Sequence, residues 1–382
     1  MRIAYIVGTL AYNGGAERIV TEKMNYLSTV PKYSIYAITL YQIYDKQPNT
    51  YDLSPKVTQV NLQIPAYLQY KHKYPKRLWL KWKYYKQLRQ ELTKVVNEIK
   101  PDILIGVGFN SADIVCLQKC NAAKIIESHE ARMFTMSNAQ HTQRSFVTKA
   151  LGHLYRKWYL HIIEKYADAI VTLTENDAIE WKKARYVEVI PNFSSMHISS
   201  ISNCANKKII AVGRFEWQKG YDMLLQIWEN VINRHPDWEI NIYGDGNLRD
   251  NIEKEVLQKG LRSIYIHPFT KEISKEYAKS SIYILSSRFE GFPLTILEAM
   301  RHGLPCISFD CPFGPANLIE NDKTGYLIEN GNKFSFADKL SNLMENSQVR
   351  KEFSKAALDR AKLFEKETIM QNWIKLFESL KS

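Results

Sequence analysis

Short apolar runs rich in β-branched residues alternate along this chain with longer stretches whose apolar positions recur at helical spacing. In the first half the runs at 2–7, 34–40, 102–107, 124–127, 169–173 and 187–190 predict strands. In the second half strands are predicted at 208–212, 238–243, 263–266, 282–285, 305–308 and 326–328. The helical pattern is clearest at 76–99 and 144–166, with further helices expected near 220–234, 247–258, 294–302 and 334–344. Alternation of strand and helix implies parallel sheets covered by helices on both faces. The expected fold class is α/β, two doubly wound Rossmann-like domains facing a cleft. In such sheets ligands bind beyond the carboxyl ends of the strands, so the loops there are where chemistry is expected.

The seam falls in PNFSSMHISSISNCANKK (191–208), rich in Ser and Asn and without clear periodicity. It gives an N-terminal domain over 1–192, a linker over 193–207 and a second domain over 208–365. A C-terminal helix over 366–382 carries Ile369, Trp373, Leu376 and Phe377 on one stripe and is expected to cross back to the first domain. A chain of 382 residues suits two domains of this size. No apolar run reaches the roughly 18 residues of a spanning helix. The start, MRIAYIVGTL, reads as a buried strand and not as a signal peptide. The five cysteines fit neither a disulfide framework nor a zinc site and read as small core residues in a reducing cytoplasm.

Charge changes the picture. Residues 1–200 hold 27 Lys and Arg against 16 Asp and Glu, so +11 of the net +12 belongs to the first half. That asymmetry points to an anionic partner for this half. Its densest part is KHKYPKRLWLKWKYYKQLR (71–89), with eight Lys and Arg, no acid, and Tyr74, Trp79, Trp82, Tyr84 and Tyr85 interleaved. Lys71, Lys73, Lys76, Arg77, Trp79, Lys81, Trp82 and Lys83 form a candidate membrane or acceptor face, since cations with interfacial rings suit an anionic lipid surface. The stretch 144–166 extends it. The plain alternative is an exposed helix with its rings packed inward. A nonenzymatic anionic-surface or nucleic-acid-binding protein is the rival reading, because bases stack on rings beside cations. It predicts basicity on both halves, which the nearly neutral second half does not show.

Candidate chemistry gathers in the second half. In SSRFEGFPLTILEAMRHGLPCISFD (286–310), Pro293 fits the first position of a helix and Gly303 the residue past its end. The free N–H groups near Leu294 and Thr295 suit a diphosphate. Glu290 precedes the helix and Glu298 lies inside it, each able to accept hydrogen bonds from sugar hydroxyls; the plain reading is a capped helix with a solvent-facing Glu. In AVGRFEWQKGYDMLL (211–225) a strand runs into a loop with Arg214 and Lys219, again suited to a diphosphate or, plainly, a solvated basic loop. Neither a P-loop nor a dinucleotide fingerprint is present. In the first half Gly14 and Gly15 allow close backbone approach before a helix, and His129 follows a strand end.

EGFPLTILEAMRHGLP resembles the E-x7-E signature of retaining GT-B glycosyltransferases of family 4. GRFEWQKGYDMLL is similar to that family's G-R-x4-K-G segment, YGDGNLRDNIE (243–253) to its G-x-G turn and YIHPFT (265–270) to the segment whose backbone holds the nucleotide base. The four occur in the family's order, over about 100 residues. The resemblance implies that Arg214 and Lys219 act on the diphosphate, Glu290 on the donor sugar and Glu298 on the ribose. Gly244, His267, Pro268, Phe269, Gly291, Phe292, Leu294 and Thr295 would complete the donor site. Gly14 and Gly15 would lie beside the donor phosphates and His129 beside the reacting sugar; Glu130 receives no role. The family needs neither a cofactor nor a metal. CPFGPANLIENDKTGYLIEN (311–330) looks most like members that use UDP-hexoses or UDP-N-acetylhexosamines for surface polysaccharides. The expected partners are a UDP-sugar, a saccharide acceptor with a lipid link, and an anionic membrane, with no nucleic acid. The expected place is the cytoplasmic, inner face of the cell membrane.

Overall fold

A computed structural model of the protein describes residues 1–12, 14–42, 47–73, 75–109, 111–129, 131–132 and 146–381, with 146–151 described as helix backbone alone. Tyr74, Glu130 and residues 144–145, singled out above, lie outside the described residues. The chain divides into two units, Met1–Pro191 with Ile369–Ser382, and Asn192–Thr368.

The first unit is built on β1 (Arg2–Val7), β2 (Ser34–Thr39), β3 (Thr58–Asn61), β4 (Ile103–Val107), β5 (Ala123–Glu127), β6 (Ala169–Thr172) and β7 (Val187–Val189). They form a seven-stranded sheet in the order β3-β2-β1-β4-β5-β6-β7, every pairing parallel. The second unit is built on β8 (Lys208–Val212), β9 (Glu239–Tyr243), β10 (Ile264–His267), β11 (Ile282–Leu285), β12 (Cys306–Asp310) and β13 (Gly325–Glu329), in the parallel order β10-β9-β8-β11-β12-β13. In both sheets the chain starts in the middle, winds to one side, then crosses back to the other. The switch points lie between β1 and β4 and between β8 and β11, where doubly wound sheets open a crevice for ligands.

The strands are apolar because helices cover both their faces. In the second unit Ile209, Ile240, Ile282, Ile307 and Tyr326 share a core with Trp228, Phe309 and Phe336. Trp228 is fully buried, and its indole N–H donates to the Arg262 carbonyl at 3.0 Å, which satisfies the one polar atom it carries inward.

Three features differ from the sequence reading. Strand β3 was not expected: it is a half-buried edge strand, and Val60 is the one large apolar residue in TQVN. The helix Ser347–Ala361 was not expected either, since few of its residues face the core; Asn346 caps it by accepting from the Gln348 and Val349 amides. The segment 193–207 is not a free tether. Phe193, Ser194, Met196, Ser202 and Cys204 are buried, and Arg301 Nη1 donates to the Ser194 and Met196 carbonyls at 2.6 and 2.9 Å. All five cysteines are free thiols, four of them buried.

Candidate donor site

Three loops meet at the carboxyl edge of the second sheet, and glycines let them approach. Gly213, after β8, donates its N–H to the Tyr243 carbonyl at 3.0 Å, and a Cβ on Gly244, after β9, would lie 2.0 Å from the Gly213 carbonyl oxygen. Gly220 has φ +64°, and a Cβ there would lie 2.2 Å from the Ser286 carbonyl oxygen after β11. The backbone also ties across: Phe215 N donates to Asp245 O at 2.8 Å, and Arg288 N to Gln218 O at 2.8 Å. Arg288 further clamps the β8 loop through a bidentate pair with Asp222 and a bond to the Trp217 carbonyl.

On this frame Lys219 Nζ lies 2.7 Å from Glu290 Oε1, which also accepts from Ser287 Oγ at 2.6 Å. The Lys219 and Glu290 side chains are 14% and 7% exposed, so the pair is largely withdrawn from water. Arg214, from the same loop, is exposed. The helix Leu294–Arg301 begins directly after; Pro293 is its N-cap, one residue earlier than the expected first helical position, and Gly303 follows its end with φ +74°. Thr295 in the first turn is fixed by Tyr283, whose hydroxyl donates to Thr295 Oγ1 at 2.7 Å. Glu298 is buried rather than solvent-facing and receives the Tyr277 hydroxyl at 3.4 Å. Burial raises both phenols well above their ordinary range, so they remain protonated donors. The edge therefore presents a cation, two buried carboxylates and a helix start together.

The remaining expected residues divide. Gly291 and Leu294 are half-buried at the loop and helix start. The Phe292 side chain is buried and packs on Phe364 with ring centroids 5.7 Å apart. His267 ends β10, stacks on Tyr243 at 4.4 Å and pairs with Asn241 Oδ1 at 2.8 Å; Pro268 and Phe269 beyond it are exposed. Burial lowers the His267 pKa, which keeps the ring neutral.

In the first unit Gly14 is the extended N-cap of the helix Gly15–Leu27, at the carboxyl end of β1. His129 follows β5, its Nε2 3.1 Å from Glu127 Oε1, and Glu127 also pairs with Lys23. Neither Glu127 nor Lys23 was picked out in the sequence, although Lys23 falls on the apolar stripe Ile19, Val20, Met24, Leu27 of its helix, which is the signal that marks it. Lys71, Lys73, Lys76, Lys81 and Lys83 are exposed and Arg77 half-buried. Trp79 and Trp82 are 56% and 62% exposed, so these rings are not packed inward, and Leu154 and Trp158 add exposed apolar surface. Among the described residues no group of three or more His, Cys, Asp or Glu is placed to hold a metal ion. No described helix is long and apolar enough to cross a membrane.

Residues 196–360 match the family model described as glycosyl transferases group 1. An uncharacterized glycosyltransferase of Haemophilus influenzae is 27% identical over 97% of this chain and 98% of its own. The Campylobacter jejuni GalNAc-α-(1→4)-GalNAc-α-(1→3)-diNAcBac-PP-undecaprenol α-1,4-N-acetyl-D-galactosaminyltransferase is 24% identical over 100% of this chain and 99% of its own. A mutant of S. aureus TarM, solved with fondaparinux, α-GlcNAc-glycerol and UDP, superposes with a TM-score of 0.76 at 17% identity, covering 98% of this chain and 99% of that one. The match over 196–360 covers the whole candidate donor edge, and with it the fold and the full-length relatives place residues 196–360 in the glycosyl transferases group 1 family and make the chain a glycosyltransferase of GT-B architecture.

Proposed function

We propose that the protein is a retaining glycosyltransferase of bacterial surface-polysaccharide assembly. It moves a hexose or N-acetylhexosamine from a UDP-sugar to a lipid-linked, lipopolysaccharide or capsule saccharide, at the inner face of the membrane. The observation that carries this reading is the Lys219–Glu290 pair beside the start of the helix Leu294–Arg301, with Glu298 buried one turn further along.

The chemistry follows from that arrangement. Breaking the bond between the anomeric carbon and the diphosphate leaves oxocarbenium character on the sugar and growing charge on the leaving phosphate. Lys219, Arg214 and the amides of Leu294 and Thr295 meet that charge, the amides aided by the helix dipole. A preorganised donor of this sort contributes about 3–4 kcal/mol to transition-state stabilisation. Glu290, held by Lys219 and Ser287, accepts from donor-sugar hydroxyls, and Glu298 from the ribose. The leaving phosphate takes the acceptor hydroxyl proton, so neither metal nor cofactor enters. The full-length C. jejuni relative is named for an undecaprenol-diphosphate-linked acceptor, which supports a lipid-linked acceptor here.

The test is product analysis. Incubation with UDP-glucose, UDP-galactose, UDP-N-acetylglucosamine and UDP-N-acetylgalactosamine, with extracted lipid-linked saccharides as acceptors, is expected to give transfer from one donor with an axial, α-linked product. A β-linked product would overturn retention, and transfer from GDP-sugars alone would overturn the donor class.

A further inference from the structure

Thr295 is the second residue of the helix Leu294–Arg301 and is half-buried. In this first turn the Ile296 and Leu297 amides already donate to the Pro293 carbonyl, at 2.9 and 3.4 Å. The Leu294 and Thr295 amides have no such acceptor among the described residues. The Thr295 side chain adds to them. Its Oγ1 accepts from the Tyr283 hydroxyl at 2.7 Å and donates to no described residue. Tyr283 lies in β11, between β8 and β12, and is fully buried. Burial holds its pKa well above the ordinary range, so the phenol keeps its proton. Among the described residues that proton has one acceptor within reach, Thr295 Oγ1. If Thr295 donated instead, a phenol O–H would be buried without an acceptor. That arrangement is the costlier one, because only Thr295 can turn to solvent or to a ligand. Burial therefore sets the direction of the bond.

We propose that the Thr295 hydroxyl is a further donor to the distal phosphate of the nucleotide diphosphate, and that Tyr283 is the positioning residue that aims it. The inference rests on the reading that this edge holds the donor's diphosphate, and it adds a side chain to the two amides at the helix start. With Tyr283 donating into Oγ1, a Thr295 hydrogen turned toward the phenol would meet another hydrogen. The positions left to it point away from the buried ring. A hydroxyl that accepts one hydrogen bond is also polarised toward giving the next. Thr295 thus offers an N–H and an O–H from one residue, at the edge that carries the Lys219 ammonium. Lys219 supplies charge with little direction, and the threonine supplies direction. Valine in its place keeps the amide and the shape and removes the hydroxyl alone.

The test is calorimetric titration with UDP and with UMP, which lacks the distal phosphate. It is run on wild type, Thr295→Val, Thr295→Ser, Tyr283→Phe and the double variant Tyr283→Phe with Thr295→Val, with melting curves to establish folding. Thr295→Val is expected to weaken UDP about tenfold or more and to leave UMP within about twofold, as the loss of one hydrogen bond to a charged group requires. Thr295→Ser is expected to keep most of the UDP affinity. Tyr283→Phe is expected to weaken UDP about threefold, because the Thr295 hydroxyl then turns freely. The double variant is expected to match Thr295→Val, since a hydroxyl that is gone cannot be aimed. Wild-type UDP affinity in Thr295→Val, or an equal loss of UMP, would overturn the proposal. An unchanged Tyr283→Phe, or losses that add in the double variant, would overturn the positioning role. If Tyr283→Phe does not fold, Thr295→Val carries the test by the same criterion. A wild type that binds UDP no better than UMP would instead remove the donor-site reading itself, since no distal phosphate would then be held.

Discussion

Lys219 and Glu290 are 71 residues apart in the chain, yet Nζ and Oε1 lie 2.7 Å apart, each withdrawn from water. The contact exists because β8 and β11 are neighbours across the switch point and their loops interlock. On the reading above, one cation both holds the carboxylate that grips the sugar and faces the phosphate that leaves. Replacing Lys219 by Ala is therefore expected to cost about 10²–10³ in kcat. Lys219→Arg is expected to recover only part, since a planar guanidinium does not reproduce a compact ammonium. Steady-state UDP release checks both, and a wild-type rate in Lys219→Ala would contradict the role.

Glycine at 244 is a packing requirement. Any side chain there meets the Gly213 carbonyl, so Gly244→Ala is expected to push the β8 and β9 loops apart. The melting temperature of the variant should fall, and UDP binding should weaken with it. Gly220→Ala adds strain of about 1–3 kcal/mol from its positive φ to a clash with Ser286. Unchanged melting in both would show that the loops relax freely.

Asp177 gives a pH signature in the first unit. Burial raises its carboxyl to about 6, against the usual value near 3.9 in an unfolded chain. The folded state thus binds the proton more tightly, and this residue costs stability that grows as pH rises from about 4 to 6 and is complete above that. Asp177→Asn is expected to remove the loss, about 2–3 kcal/mol at pH 7, with its carbonyl oxygen accepting from the Arg132 amide and its NH2 group donating to Ser128 Oγ in place of the bond Ser128 now donates. Denaturation at pH 4 and pH 7 checks the sign: the mutant's advantage should appear only at the higher pH.

Exposed Trp79 and Trp82 among exposed lysines predict peripheral binding to anionic lipid. Changing Lys71, Lys73, Lys81 and Lys83 to Glu should abolish sedimentation with phosphatidylglycerol vesicles at low salt, at about 1 kcal/mol for each lysine lost. UDP binding should be untouched. Failure of the wild type to sediment would remove the membrane from the account.

The two sheets were legible in the sequence because buried parallel strands are nearly continuous apolar runs, such as KIIAV and IYIL. Edge strand β3 was not, since TQVN pays for its place by pairing with β2 and not by burial. In the candidate donor site the Glu290, Glu298 and Lys219 positions were legible as a spaced motif. Their supports were not: Ser287, Tyr277 and Tyr283 are ordinary residues until the fold brings them to those carboxylates and to Thr295. Lys23 was hidden for the opposite reason, because lysine is read as solvated and this one is buried under Trp373.

The most direct test of the donor site is thermal stabilisation by UDP, GDP and ADP, measured on wild type and Glu298→Ala. UDP is expected to raise the melting temperature by roughly 5–10 °C at a hundredfold excess over its Kd, with GDP and ADP far weaker. Glu298→Ala should lose most of that shift, since a hydrogen bond to a charged group is worth about 1.5–3 kcal/mol. No shift with any nucleotide at millimolar concentration, or a full UDP shift in the mutant, would contradict the assignment of this edge as the donor site.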